Sequence, residues 1–154
     1  MNYWLMKSEP STFSIDDLQA APKRRTCWDG VRNYQVRNMM RDDMKVGDLA
    51  FFYHSSCEQP GVAGIVKIVR AAYPDHTAFD PKDPHFDAGS KANDPRWLMV
   101  DVELEQRFAK IITLDVLRKH ADGKLKDMVL LKRGNRLSIT PVSVAHWRFI
   151  TSLA

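Results

Sequence analysis

The most regular pattern in the chain follows Pro95. Leu98, Val100, Val102 and Leu104 fall on one side, and Trp97, Met99, Asp101 and Glu103 on the other. A period of two with one polar side predicts a strand whose Leu/Val face is covered and whose other face turns polar beyond Trp97. Leu49-Ala50-Phe51-Phe52-Tyr53-His54-Ser55 is apolar on both sides, which predicts a strand packed on both faces. Val62 to Val69 is a second such run, joined to the first by the turn Glu58-Gln59-Pro60-Gly61, so the two predict a hairpin-like pair. Asn2 to Lys7 is a shorter β-prone run that ends at Ser8-Glu9-Pro10, where proline stops the ladder.

The helical spacings are short. Ser14 followed by Asp17 predicts a capped helix that ends before Pro22. A second helix is expected from Asn33 to about Asp43, with Val36, Met39 and Met40 on the inner face and Tyr34, Arg37 and Arg41 on the outer one. Thr113 to Leu117 begins a third, and Ser143 caps a fourth with Val144, Trp147 and Ile150 inward. Met128 to Leu131 and Arg136 to Ile139 read as short strands around Lys132-Arg133-Gly134. Ala71 to Arg96 contains Pro74, Pro81, Pro84 and Pro95 with aspartates at 75, 80, 83, 87 and 94, the composition of a long structured loop. Short strands interrupted by short helices predict an α+β mixed β-barrel rather than a layered βαβ fold. Residues 1–154 are expected to form a single domain.

Composition narrows the function classes. Hydrophobic residues make up 44% and charged residues 27%, which excludes bulk disorder. No apolar run is long enough to span a bilayer, so no membrane partner is expected. The start Met1-Asn2-Tyr3-Trp4-Leu5-Met6-Lys7 lacks the pattern of a signal peptide, and a cytoplasmic location is expected. Cys27 and Cys57 are too few for a disulfide framework. The net charge of +4 mildly favours a polyanionic partner.

Enzyme signatures are missing: the chain has no glycine-rich phosphate loop, HExxH helix or GxSxG elbow. Asp83, His85 and Asp87 alternate in the long loop but lack a second histidine at ligand spacing, so they read as turn formers, and neither a metal nor a cofactor is expected. His54, near a strand end, has two readings. One is a hydrogen-bonding residue at a pocket rim. The other is the general base of a hydrolase or transferase acting on a nucleotide-like molecule. Trp28 is expected in a polar loop, between the basic run Lys23-Arg24-Arg25 and an arginine-rich helix start. It is either a cap on the core or a stacking surface for a planar ligand. Asp29 and Asn33 beside it can hydrogen-bond a base edge, and Arg32, Arg37 and Arg41 can meet phosphates.

Long motifs in fixed order carry a resemblance. They begin with Tyr3-Trp4-Leu5-Met6-Lys7-Ser8-Glu9-Pro10, Trp28-Asp29-Gly30-Val31-Arg32-Asn33-Tyr34-Gln35, and Gly47-Asp48 leading to Phe52-Tyr53-His54-Ser55. Gly64-Ile65, Ala72-Tyr73-Pro74-Asp75, Pro95-Arg96-Trp97 and Val100-Asp101-Val102 follow. Leu125-Lys126-Asp127-Met128, Arg136-Leu137-Ser138 and Pro141-Val142 close the set. The chain thereby resembles the EVE domain family, a branch of the PUA-like barrels related to YTH domains, over nearly its whole length. The resemblance implies a PUA-like pseudo-barrel decorated with short α-helices. It also implies a nucleic-acid-binding reader of a modified base, with modified cytosine in DNA favoured and modified RNA as the alternative; with the enzyme signatures missing, that reader is expected to be non-catalytic.

On that reading a modified base leaves the stack and is captured. Trp28 is the first candidate stacking surface, with Trp97, Tyr53 and Phe52 behind it. Ser8, Glu9, Asn33 and Ser55 are candidates for the base edge, with His54 at the rim. Lys7, Arg32, Arg37 and Arg136 are candidates for the phosphate or the pocket wall, and Tyr34 and Arg41 extend the nucleic-acid face. The pocket is expected between Lys7-Ser8-Glu9, the Trp28–Tyr34 segment and Tyr53-His54-Ser55.

Overall fold

A computed structural model describes residues 1–154. Its strands are β1 (Tyr3–Ser8), β2 (Arg25–Trp28), β3 (Leu49–His54), β4 (Gly61–Pro74), β5 (Leu98–Thr113) and β6 (Ile139–Val142). Its helices are α1 (Ile15–Ala20), α2 (Tyr34–Asp42), α3 (Leu114–Arg118) and α4 (Val144–Ser152). The strands form one six-stranded sheet in the order β2-β5-β4-β3-β1-β6. The β1–β3 pair is parallel and every other pair is antiparallel.

Alternation along the strands separates two cores. Trp4 and Met6 of β1, Ala50 and Phe52 of β3, and Val100, Val102 and Leu104 of β5 point into one cluster. Leu5, Phe51, Tyr53 and Phe108 point into the other. The first cluster also contains Trp28 from one edge strand and Ile139 from the opposite edge. The sheet therefore curls until its two edges share one interior, which is the PUA-like pseudo-barrel. Helix α2 seals this interior with Val36 and Met40, and α1 does so with Ile15 and Leu18. Helices α3 and α4 cover the outer core through Leu117, Trp147 and Ile150. Register shifts between Val62 and Gly64, Ile65 and Val66, and Ile68 and Tyr73 bend the long β4–β5 ribbon, as bulges do.

The capping residues act as their positions predict. Ser14 and Asp17 form a reciprocal capping box on α1, Thr113 caps α3, and Ser143 caps α4. Five expectations change. Arg25–Trp28 is a strand, not a loop, and pairs with Val100–Glu103 of β5. Val129–Leu131 is a 3₁₀ turn and not a strand, while the strand expected at Arg136–Ile139 begins only at Ile139. Strand β4 continues to Pro74, so the loop is shorter than the prolines and aspartates indicate. Val144 is exposed on the first turn of α4. No helix is long and apolar enough to cross a membrane.

Candidate nucleic-acid interface

The end of β1, the end of β2 and the long loop enclose a cavity of about 430 Å³. Lys7, Ser8 and Glu9 line it from β1, and Thr26, Cys27, Trp28 and Asp29 from β2 and its exit. Thr12 and Phe13 close one side, and His85 reaches in from the long loop. Trp28 belongs to the core and also borders the cavity. Its indole is largely buried, packs edge-on against Phe52 with ring centroids 5.5 Å apart, and still faces the cavity.

Asp75 holds the far wall in place. It is fully buried, and its carboxylate accepts hydrogen bonds from the Gly30 amide (2.9 Å), from Arg32 (3.1 Å), and from the Thr77 amide (2.8 Å) and hydroxyl (2.6 Å). Burial alone would push this carboxyl up, but the bonds from Thr77, Gly30 and Arg32 outweigh it and hold Asp75 below its ordinary value. Arg32 also donates to the His85 carbonyl (2.6 Å) and the Thr77 hydroxyl (3.2 Å). The segment after Trp28 and the long loop are thus tied through one ion pair.

The loop is ordered by its aspartates. Asp75, Asp80, Asp83 and Asp87 each accept a hydrogen bond from the backbone amide two residues on, the Asx-turn arrangement. Asp87 also accepts from the Trp97 indole (2.7 Å) and from Arg96 (3.2 Å). Trp97 therefore anchors the loop and stacks on Tyr34, with centroids 4.7 Å apart.

Lys7 and Asp29 place groups of opposite charge on the cavity wall, and burial opposes the charged form of each. Burial pulls the Lys7 ammonium below its ordinary value. Burial, then the Asp75 carboxylate, pushes Asp29 up. Burial, then Asp29 and Asp101, pushes the Cys27 thiol up, which keeps it protonated and poorly nucleophilic at neutral pH.

The remaining candidate residues lie elsewhere. Asn33 is not on the cavity wall; its side chain accepts from the Val36 amide and caps α2. Phe52 is fully buried behind Trp28. His54 is buried and its Nε2 accepts from the Ile15 amide (3.1 Å), so the lone pair a general base needs is occupied. Burial also lowers its pKa. Tyr53 and Ser55 open onto a second cavity of about 560 Å³ on the outer-core side of the sheet, which shares Lys7 with the first. Trp97 is buried against Tyr34, away from Trp28's cavity. Tyr34 and Arg37 line a third cavity of about 380 Å³, with the Arg37 guanidinium 4.8 Å from the Tyr34 ring and donating to the Arg96 carbonyl. Arg32 is committed to Asp75, and Arg41 pairs with Asp42 at the surface. Arg136 is exposed and lines none of the three cavities. Phe13, Thr26, Cys27 and His85 are wall residues that sequence reasoning does not select. Phe13 and His85 come from loops whose approach depends on contacts distant in sequence.

A family model described as the EVE domain matches residues 2–153. Thymocyte nuclear protein 1 of Rattus norvegicus is 51% identical over 167 residues, covering 99% of this chain and 73% of the relative. The crystal structure of human THYN1 protein in complex with 5-methylcytosine-containing DNA superposes with a TM-score of 0.94 at 48% identity, covering 99% of this chain and 97% of that one. A crystal structure of a Pseudomonas syringae protein gives a TM-score of 0.92 at 46% identity, covering 98% of each chain.

Proposed function

The chain belongs to the EVE domain family, and from that premise we propose that it is a non-catalytic reader of modified cytosine in DNA which takes the base into the cavity beside Trp28. A base inside a duplex is closed off by its neighbours, so capture requires that it leave the stack, at a cost of roughly a few kcal/mol. Stacking on an aromatic face returns about 1–3 kcal/mol per base. The observation that carries this reading is that one cavity brings Trp28 together with polar groups: Trp28 and Phe13 supply apolar surface, while Lys7, Glu9 and Asp29 supply a donor and acceptors. A cytosine presents an amino donor next to acceptor atoms on its pairing edge. A carboxylate opposite the amino group and an ammonium opposite an acceptor form the complementary set. A buried 5-methyl group adds about 0.8 kcal/mol, which corresponds to severalfold discrimination.

DNA comes before RNA because the human relative's complex contains 5-methylcytosine DNA. The non-catalytic part of this reading is supported by two side chains. His54 spends its acceptor on Ile15, and the Cys27 thiol is held protonated.

The test is binding of DNA and RNA oligonucleotides that differ only at one cytosine C5 position, by the protein and by its Trp28→Ala variant. The expected result is severalfold preference for the methylated DNA strand, lost in the variant. Equal binding of methylated and unmethylated strands by the intact protein overturns the reading. A preference confined to RNA replaces DNA as the partner.

A further inference from the structure

The second cavity has a different chemistry from the first. Lys7, Arg118, Lys132 and Arg133 converge on it, and no carboxylate lines it. None of these four cations is in an ion pair, whereas Arg25, Arg32, Arg41, Arg96 and Arg107 each pair with a carboxylate elsewhere on the molecule. Four unpaired positive charges around one concavity repel one another and focus a positive potential in it, and a bound anion relieves both effects. Hydroxyls complete the wall. The Tyr53 ring is buried, yet its hydroxyl makes no hydrogen bond within the chain and lies within the field of Arg118. The Ser55 hydroxyl is likewise unpaired.

No aromatic face is open to the second cavity, since the only ring on its wall, Tyr53, is packed into the outer core. It is therefore built for charge and not for a base. Lys7 lines both cavities and is half-buried between them.

We propose that the second cavity is a phosphate site, which holds the nucleic-acid backbone next to the nucleotide whose base enters the first cavity, with Lys7 at the junction. The inference rests on the base-capture reading for its position along the strand, but its charge chemistry stands by itself. Phosphate contacts fix register and orientation without reading sequence, so this site sets affinity and salt dependence while the Trp28 cavity sets preference.

Two substitutions at exposed positions, Arg118→Ala and Arg133→Ala combined, test it without touching either core. Oligonucleotides carrying a single neutral methylphosphonate linkage, moved stepwise past the 5-methylcytosine, are bound by the intact protein and by the double variant. In the intact protein a linkage flanking the modified base is expected to weaken binding roughly tenfold, the loss of a charge-assisted hydrogen bond. The same linkage should have little further effect in the variant. On duplex DNA the variant's salt slope should fall by about 0.9 for each phosphate it no longer neutralises. Its preference for the methylated strand should be unchanged. A neutral linkage that costs the variant as much as the intact protein overturns the proposal, as does a lost preference with an unchanged salt slope. If the intact protein shows no preference for methylation, the base-capture reading fails, and the linkage scan on the unmethylated strand still decides whether the cavity holds a phosphate.

Discussion

The His85 imidazole lies directly over the Cα of Gly30: a β-carbon on Gly30 would come within 2.8 Å of the ring's Cε1 and Nε2. Gly30 also has φ = +79°, a left-handed conformation that costs an L-residue about 1–2 kcal/mol. This contact brings the loop ring onto the cavity beside Trp28, and only a glycine permits it.

Gly30→Ala therefore carries two effects that Gly47→Ala separates. Gly47 has φ = +96° and nothing within 4 Å of a built β-carbon, so its substitution reports backbone strain alone. Gly47→Ala should lose about 1–2 kcal/mol in urea unfolding, and Gly30→Ala at least as much. Only Gly30→Ala should also weaken binding of methylated DNA, because only there is the cavity wall displaced. Equal binding by the two variants would detach His85 from the site.

Asp75 makes a pH prediction with a definite sign. Its folded pKa lies below the ordinary 3.8, because the bonds from Thr77, Gly30 and Arg32 outweigh burial. The stability it contributes is complete above that ordinary value and is lost as the pH falls through it toward the folded value. Asp75→Asn should cost about 2 kcal/mol at neutral pH by leaving Arg32 without its counter-ion. Its stability should also decline less steeply than wild type below about pH 4. Parallel acid limbs for the two proteins, followed by urea unfolding across that range, would mean that Asp75 is not the group responsible.

The legible parts of the molecule are those whose signals are local. The alternation at Leu98–Leu104, the doubly apolar run at Leu49–His54 and the caps Ser14 and Ser143 all lie within one element, and each forms as its spacing predicts. Arg25–Trp28 is hidden because it is a four-residue edge strand that begins in a basic run. Its pairing with Val100–Glu103 is a tertiary fact. Val129–Leu131 has the composition of a strand but lies between tight turns, and the chain closes a 3₁₀ turn there. At the site, Lys7, Ser8, Glu9 and Trp28 are legible because they cluster in motifs at strand ends. Asn33 and Arg32 stand in the same motif but serve the cap of α2 and the Asp75 ion pair. Arg32 looks like a ligand-binding group until Asp75, 43 residues on, is in view, and Asn33 does so until its bond from the Val36 amide marks it as a cap.

His54 gives a second pH effect, in a higher window. Burial lowers its pKa from 6.5, with Nε2 accepting from the Ile15 amide. The unfolded chain takes up a proton near 6.5 while the folded one resists, so the stability from neutral His54 is complete above that value and is lost as the pH falls below it. Urea unfolding of wild type at about pH 7.5 and about pH 5.5 should show a loss on acidification that His54→Gln reduces. Binding of methylated DNA by His54→Gln at the higher pH should match wild type, since the side chain supports α1 and lines no cavity. Any turnover of a nucleotide that depends on His54 would instead restore the general-base reading.

Trp97 tests whether the long loop is held from behind or only by its own turns. Its indole donates to Asp87 while its ring stacks on Tyr34. Trp97→Phe keeps much of the stacking surface and removes the donor, so the loss is one hydrogen bond to a carboxylate, about 1.5–3 kcal/mol. Asp87 retains Arg96 and the Gly89 amide, which places the expected cost at the lower end of that range. The effect should be local: amide exchange in residues 80–97 should accelerate while that of the β3–β4 pair stays as in wild type. Because His85 belongs to this loop, affinity for methylated DNA should fall along with the protection. Faster exchange with unchanged affinity would show that the loop needs Trp97 for order and that the cavity beside Trp28 does not need the loop.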